Sequence, residues 1–249
     1  MFVAYNQVNI SIPEIERVND WFNHQYMPSI DPYSDLTSFT DNAIRKNPDI
    51  KEQALTFLKE ADFNVADISF EDKEEKVPEK FLNALDTALL PEKVKAQIKK
   101  EKVFHKKRTL LGHKVGNDEK EISYLPLSEK WQSRGTLRYY GFAGPFFYAT
   151  EKDAFLPIDE IGSALHPLLV VHFIKEFLKK SSKAQLLFTT HNMSILNEKD
   201  ILRKDAIWFT EKRKDGSTDL FSLSDFKFRK ELSFYKAYKI GKFGAIPEL

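Results

Sequence analysis

An α/β fold with parallel core strands and an added charged lobe is what this 249-residue sequence predicts. Three features carry the prediction. A short apolar strand, FLPI at 155–158, ends in two acids, Asp159 and Glu160. A tight turn, IGSALHP, then starts a helix from Pro167 to about Lys180. A second apolar strand, AQLLFTTH, ends in His191. Strand, helix and strand joined by a crossover of roughly 20 residues make a βαβ unit, which aligns the strands in parallel and covers them with a helix.

The remaining elements follow in chain order. MFVAYNQVNISI (1–12) alternates loosely and reads as a strand or a connector. Ile12, Ile15, Val18 and Phe22 recur at helical steps, with Pro13 tolerated in the first turn. MPSIDPYSDLTSF (27–39) is a loop by composition. Residues 49–61 form an amphipathic helix, with Asp49 as N-cap and Ile50, Leu55 and Leu58 inward. VADISFED alternates as a strand, and helical patterns follow at 79–90 and 91–101. Residues 103–111 and 120–127 are two strands joined by a Gly-containing loop. Gly141, Gly144 and Pro145 predict a kink or break near 144 in the apolar stretch after Thr136. The Asp215-Gly216 pair marks a hairpin near the end. By composition the chain divides into 1–44, a charged and mostly helical lobe at 45–102, and the sheet-bearing part at 103–249.

Composition removes several classes of function. Lys plus Arg is 38 against 37 Asp plus Glu, so the chain lacks the basic excess of a DNA-coating protein. It has no cysteine, which excludes disulfides, thiolate metal sites and a cysteine nucleophile. That absence fits a reducing, cytoplasmic setting. No apolar run is long enough to span a membrane, and the first basic residue is Arg17, so no secretory leader is expected.

The chemistry concentrates at the two apolar strand ends. A parallel sheet presents its functional groups at the carboxyl ends of its strands. A carboxylate such as Asp159 can hold Mg²⁺ there, and Glu160 beside it can polarise a water for attack on phosphorus. The next strand delivers His191 to the same rim. Apolar-apolar-Asp-Glu also arises by chance, as the cap of a strand-to-helix turn. The ordered set of motifs around it is more specific. Ser133-Arg134-Gly135-Thr136 stands upstream, Ser163-Ala164-Leu165-His166-Pro167 follows the acids, and Thr189-Thr190-His191 closes the next strand.

This order resembles the ATP-binding-cassette type of nucleotidase: signature, Walker B, D-loop and switch histidine. It is more closely similar to the prokaryotic AAA-type, ABC-like ATPases of the abortive-infection, RloA-like group, strongly over 122–249 and more weakly over 1–60, where VNDWFN lies. The tail, with IWFTEK, LFSLSDFKFRK and GKFGAIPEL, resembles theirs as well. The resemblance implies a partial P-loop NTPase sheet, ATP and Mg²⁺ as cofactors, and composite sites in a head-to-tail dimer. It implies that Asp159 orders the Mg²⁺ shell and that Glu160 orients or deprotonates the attacking water. His191 then senses the γ-phosphate or that water. Ser133, Gly135 and Thr136 face the nucleotide of the partner protomer, at a helix N-terminus suited to anions. Ser163, Ala164, Leu165 and His166 carry communication between sites, although His166 with Pro167 also simply opens a helix. An RloB-like effector is the implied neighbour.

Two departures qualify the resemblance. The phosphate cradle G-x-x-x-x-G-K-[ST] is missing, and Gly241-Lys242 is followed by Phe243. The chain therefore resembles only the C-terminal portion of a family member. It is expected either to need a separate chain carrying the cradle or to be a non-catalytic remnant or interaction module, marginally stable because its sheet lacks neighbours. Pro157 removes one ladder hydrogen bond, so its strand lies at an edge or its nitrogen faces no partner.

Other candidates carry less. The basic run Lys99–Arg108 reads as a solvated helix end, and contact with nucleic acid is left open. Asp49 with Glu71-Asp72-Lys73 only superficially resembles a nuclease core, and the chain has no Asp-x-Asp. His105, His113 and His172 lack metal-like spacing. Trp21, Trp131 and Trp208 are expected to be core or half-buried.

Overall fold

The computed structural model describes residues 12–87, 91–115, 123–198, 200–227 and 233–246. The segment 1–11, the end of the helix expected at 79–90, and the loop at 116–122 lie outside the described residues. The chain divides into two compact units, Leu36–Gly144 and a second made from Met1–Asp35 with Pro145–Leu249. The fold is mixed α/β.

The described elements are α1 (Pro13–His24), α2 (Leu36–Lys46), α3 (Asp49–Glu60), β1 (Val65–Lys76), α4 (Glu79–Ala84), α5 (Glu92–Glu101), β2 (Val103–Val115), β3 (Ser123–Ser128) and α6 (Arg134–Glu151). They continue with β4 (Phe155–Ile158), α7 (Pro167–Lys180), β5 (Gln185–Phe188), β6 (Trp208–Lys212), β7 (Thr218–Ser222) and α8 (Phe234–Lys239).

The Leu36–Gly144 unit is built on an antiparallel sheet of order β1-β2-β3. Its middle section is less helical than its charge suggests, because β1 continues four residues past the alternating VADISFED through Lys76. The ladder with β2 carries on through it even with Lys73 opposite Lys106, after Glu71 opposite Arg108 and Asp72 opposite Lys107, and Arg108 also pairs with Glu75 in the extension. The basic run is partly ion-paired, Lys99 to Asp86 at 2.6 Å and Arg108 to Glu75 at 2.7 Å. In α3 the inward face is Ala54, Phe57 and Leu58, with Ile50 and Leu55 only half-buried. Asp49 is not the cap: the helix is preceded by Pro48, and the Asn47 side chain accepts the Asp49 N–H at 3.1 Å. Phe57 stacks on Tyr139 with centroids 4.6 Å apart.

Of the kink or break expected near 144, no break is present: α6 is continuous from Arg134 to Glu151 with Pro145 inside it. Pro145 has no N–H for the carbonyl of Gly141 four residues back. The buried Thr40 of α2 supplies the replacement, its hydroxyl donating to that carbonyl at 2.7 Å and accepting the Gly144 N–H at 3.0 Å. The glycines allow this approach. A Cβ on Gly141 would stand 2.6 Å from the Leu36 Cβ, and one on Gly144 would stand 2.7 Å from the Thr40 hydroxyl.

In the other unit, β4 and β5 pair in parallel, Phe155 opposite Gln185 and Ile158 opposite Phe188. α7 buries Val170, Phe173, Ile174 and Phe177, and Phe146 meets the Phe173 and Phe177 rings edge-on. The segment 25–30, which overlaps the start of the loop expected at 27–39, does more than composition suggests. It runs parallel to β4 through bridges at Tyr26–Phe155 and Ile30–Ile158. Phe155 and Asp159 donate to the carbonyls of Gln25 and Ile30, and the Met27 and Ile30 amides donate to those of Phe155 and Pro157. β4 therefore has neighbours on both flanks. The bond missing at Pro157 falls on the 25–30 side, where pairing is reduced to isolated bridges. Among the described residues β5 pairs only with β4, and Leu187 is 56% exposed.

The expected hairpin is present as β6 and β7, closed by a turn in which Gly216 takes φ 85°. It packs with Leu196, Phe234 and Phe243 in a separate aromatic cluster. Two tryptophans are not core residues: Trp131 is 78% exposed and Trp208 57%. The apolar face of α1 forms as a helix face, but Val18 and Phe22 are exposed, so periodicity located the face without showing that anything covers it.

Candidate functional site

Asp159 and Glu160 follow β4 directly, and Thr189, Thr190 and His191 follow β5. Because the strands are parallel and in register, both ends emerge at one rim. The backbone holds the two ends together: Thr189 N–H donates to the Ile158 carbonyl at 3.0 Å, and Ile161 N–H donates to the Thr189 carbonyl at 3.1 Å. His191 Nε2 lies 3.2 Å from Glu160 Oε1, with the His191 side chain almost wholly in solvent. Asp159 is exposed and Glu160 half-buried.

The turn after the acids is strained. Glu160 has φ 48° and Ala164 φ 63°, left-handed values that carry a steric cost for a residue with a Cβ. Hydrogen bonds hold it there: Ser163 N–H to the Glu160 carbonyl at 2.9 Å, and Leu165 N–H to the Gly162 carbonyl at 3.1 Å. His166 caps α7, its Nδ1 accepting the Leu168 N–H at 3.2 Å. The residues read as a D-loop thus form a compact turn between the acids and α7.

Ser133, Gly135 and Thr136 belong to the Leu36–Gly144 unit, at the start of α6. Ser133 caps that helix, its hydroxyl accepting the Thr136 N–H at 3.0 Å and lying 2.8 Å from the Thr136 hydroxyl. Thr136 is buried.

Two contributors carried too little signal to stand out from sequence. Thr189 was visible only as part of a motif. Its hydroxyl accepts the Glu160 N–H at 2.9 Å and donates to Asp159 Oδ1 at 2.5 Å. Asn192 orders the chain after His191 by accepting the Ser194 N–H at 3.0 Å. An Asn two residues before Ser is a local capping signal, easily overlooked beside a histidine.

Among the described residues no three His, Cys, Asp or Glu side chains converge as a metal site. Mg²⁺ is ordinarily held by one or two carboxylates together with substrate phosphates and waters, and Asp159 offers one such carboxylate. No helix among the described residues is long and apolar enough to cross a membrane.

No curated protein matches the chain. A family model matches residues 10–197, a span that contains both strand ends, the turn between the acids and α7, and the start of α6. The chain belongs to the family described as "AAA domain, putative AbiEii toxin, Type IV TA system", an AAA, P-loop-ATPase type of domain.

Proposed function

We propose that this chain supplies the water- and metal-handling half of an ATPase. The observation that supports it best is the meeting of Asp159, Glu160 and His191 at one rim, with the Glu160 carboxylate 3.2 Å from the His191 imidazole. Mg²⁺ bound with ATP neutralises charge on the phosphates in such sites. Asp159 is the residue to hold it. Glu160 orients the attacking water and takes its proton, and His191 fixes the Glu160 carboxylate and senses the γ-phosphate. Ser133, Gly135 and Thr136 serve the nucleotide of a partner protomer, and Ser163 to His166 couple the two sites of a head-to-tail dimer.

None of the 249 residues forms a G-x-x-x-x-G-K-[ST] loop, so in this reading the phosphate cradle comes from outside these residues. The same observation supports a second reading, in which the chain is a non-catalytic remnant or interaction module. The resemblance of the motifs to abortive-infection, RloA-like ATPases is what suggests an antiphage or restriction-linked role in the cytoplasm, with an RloB-like effector as a partner.

The test is ATP hydrolysis by the chain alone and with a polypeptide carrying the cradle, encoded next to it. We expect no turnover alone and turnover in the mixture. Glu160→Gln should lower that turnover about a hundredfold or more while trapping ATP in a dimer. Unchanged hydrolysis in Glu160→Gln removes the glutamate from this role. No turnover with any cradle-bearing neighbour favours the second reading.

A further inference from the structure

Thr189 joins the two acids through a single oxygen. Its Oγ1 accepts the Glu160 backbone N–H at 2.9 Å, which leaves the hydroxyl proton for Asp159 Oδ1 at 2.5 Å. The direction of both bonds is fixed, since an amide only donates and a carboxylate only accepts. The Thr189 backbone is pinned to the same place by its bonds with Ile158 and Ile161. A β-branched side chain has few χ1 choices, so the oxygen is delivered with little freedom.

We propose that Thr189 is a positioning residue for both acids. Its hydroxyl holds Asp159 by Oδ1, which would leave Oδ2 to serve a cation. Its acceptance of the Glu160 amide holds that residue at φ 48°, with its carboxylate toward His191. Threonine and serine can do this, whereas valine, with the same shape, can neither accept nor donate. The proposal rests on the reading of Asp159 as the metal carboxylate.

Mn²⁺ alone, titrated into the full chain, tests it without ATP turnover. Paramagnetic broadening of the Ile158, Ile161 and Thr190 NMR signals reports Mn²⁺ at Asp159, with Asp159→Asn as the control. Outer hydrogen bonds to a metal ligand typically contribute ten- to hundredfold in affinity, so Thr189→Val should need about tenfold more Mn²⁺, and Thr189→Ser should stay within about twofold of the parent. The Glu160 amide should also exchange with solvent faster in Thr189→Val and recover in Thr189→Ser. Thr189 is exposed, and Thr189→Ala is a second hydroxyl-free variant should valine disturb the fold. Equal Mn²⁺ response and equal Glu160 protection in the parent and the hydroxyl-free variants overturn the positioning role and leave Asp159 as the metal ligand. Absence of local broadening in the parent overturns the Asp159 reading itself, and the proposal with it.

Discussion

Thr40 and Thr189 make the same pair of bonds in opposite surroundings. Each oxygen accepts one backbone N–H, from Gly144 or Glu160, and donates to one acceptor, the Gly141 carbonyl or the Asp159 carboxylate. Thr40 is 0% exposed, and Thr189 lies at the surface. Around Thr40 no water can replace a lost bond, so the hydroxyl holds the fold together. Around Thr189 water can reach every partner, so the hydroxyl contributes little to stability and is free to set geometry. Burial therefore separates a structural hydroxyl from one that orders a site. The two aspartates extend the contrast: Asp41 has both oxygens covered, by the Tyr140 and Thr109 hydroxyls, whereas Thr189 engages one oxygen of Asp159.

The largest effect should come from closing the gap that lets Thr40 reach α6. A Cβ at position 141 would stand 2.6 Å from the Leu36 Cβ and 3.1 Å from its carbonyl carbon, and backbone cannot step aside as a flexible side chain can. Alanine would gain about 1 kcal/mol in helix propensity, but overpacking of this kind costs about 3 kcal/mol or more. Gly141→Ala should be clearly destabilised in urea melts. A stabilised variant would show that α2 and α6 do not approach so closely.

Next comes the hydroxyl itself. Thr40→Val leaves the buried Gly141 carbonyl without its donor, at a cost of about 2 kcal/mol. Thr189→Val, with exposed partners, should cost under about 0.5 kcal/mol. The contrast can be sharpened with Pro145→Ala, which restores an N–H for the Gly141 carbonyl. That change should recover part of the loss in Thr40→Val and little in the parent, a coupling that a double-mutant cycle in urea would measure. Equal costs for the two valine variants would end the comparison.

Much of the rim was legible because its signals are local. Apolar runs ending in Asp159-Glu160 and in Thr190-His191 mark two strand ends, and Pro167 after His166 marks the start of α7. The rest depends on partners far along the chain. Pro145 predicts a kink or break by local rules, and the hydroxyl that takes over the freed Gly141 carbonyl comes from another helix, in Thr40. The segment 25–30 reads as a loop because its contact with β4 consists of isolated bridges interrupted at prolines, with no alternation to recognise. The charged second half of β1 is hidden because its support lies across the ladder, in Lys107 and Arg108. The left-handed backbone at Glu160 left no mark at all, since glutamate is not a residue that announces positive φ.

A pH dependence separates the covered aspartate from the open one. Burial first, and then the charge of Asp41, push the Tyr140 phenol well above its usual 10.0. Above that value the unfolded chain loses the phenolic proton while the folded chain keeps it. The folded state then binds more protons, and stability falls as pH rises. The contribution is fully present below pH 10.0 and is lost above it, by up to about 1.4 kcal/mol per pH unit. Urea midpoints between pH 9 and 11 should therefore fall more steeply in the parent than in Tyr140→Phe, which has no proton to lose. Thr189→Val should follow the parent through the same range, because its hydroxyl does not touch the Asp41 network. Parallel curves for the parent and Tyr140→Phe would mean that the phenol ionises as readily folded as unfolded, and that the Asp41 network is open to water in the way the Asp159 rim is.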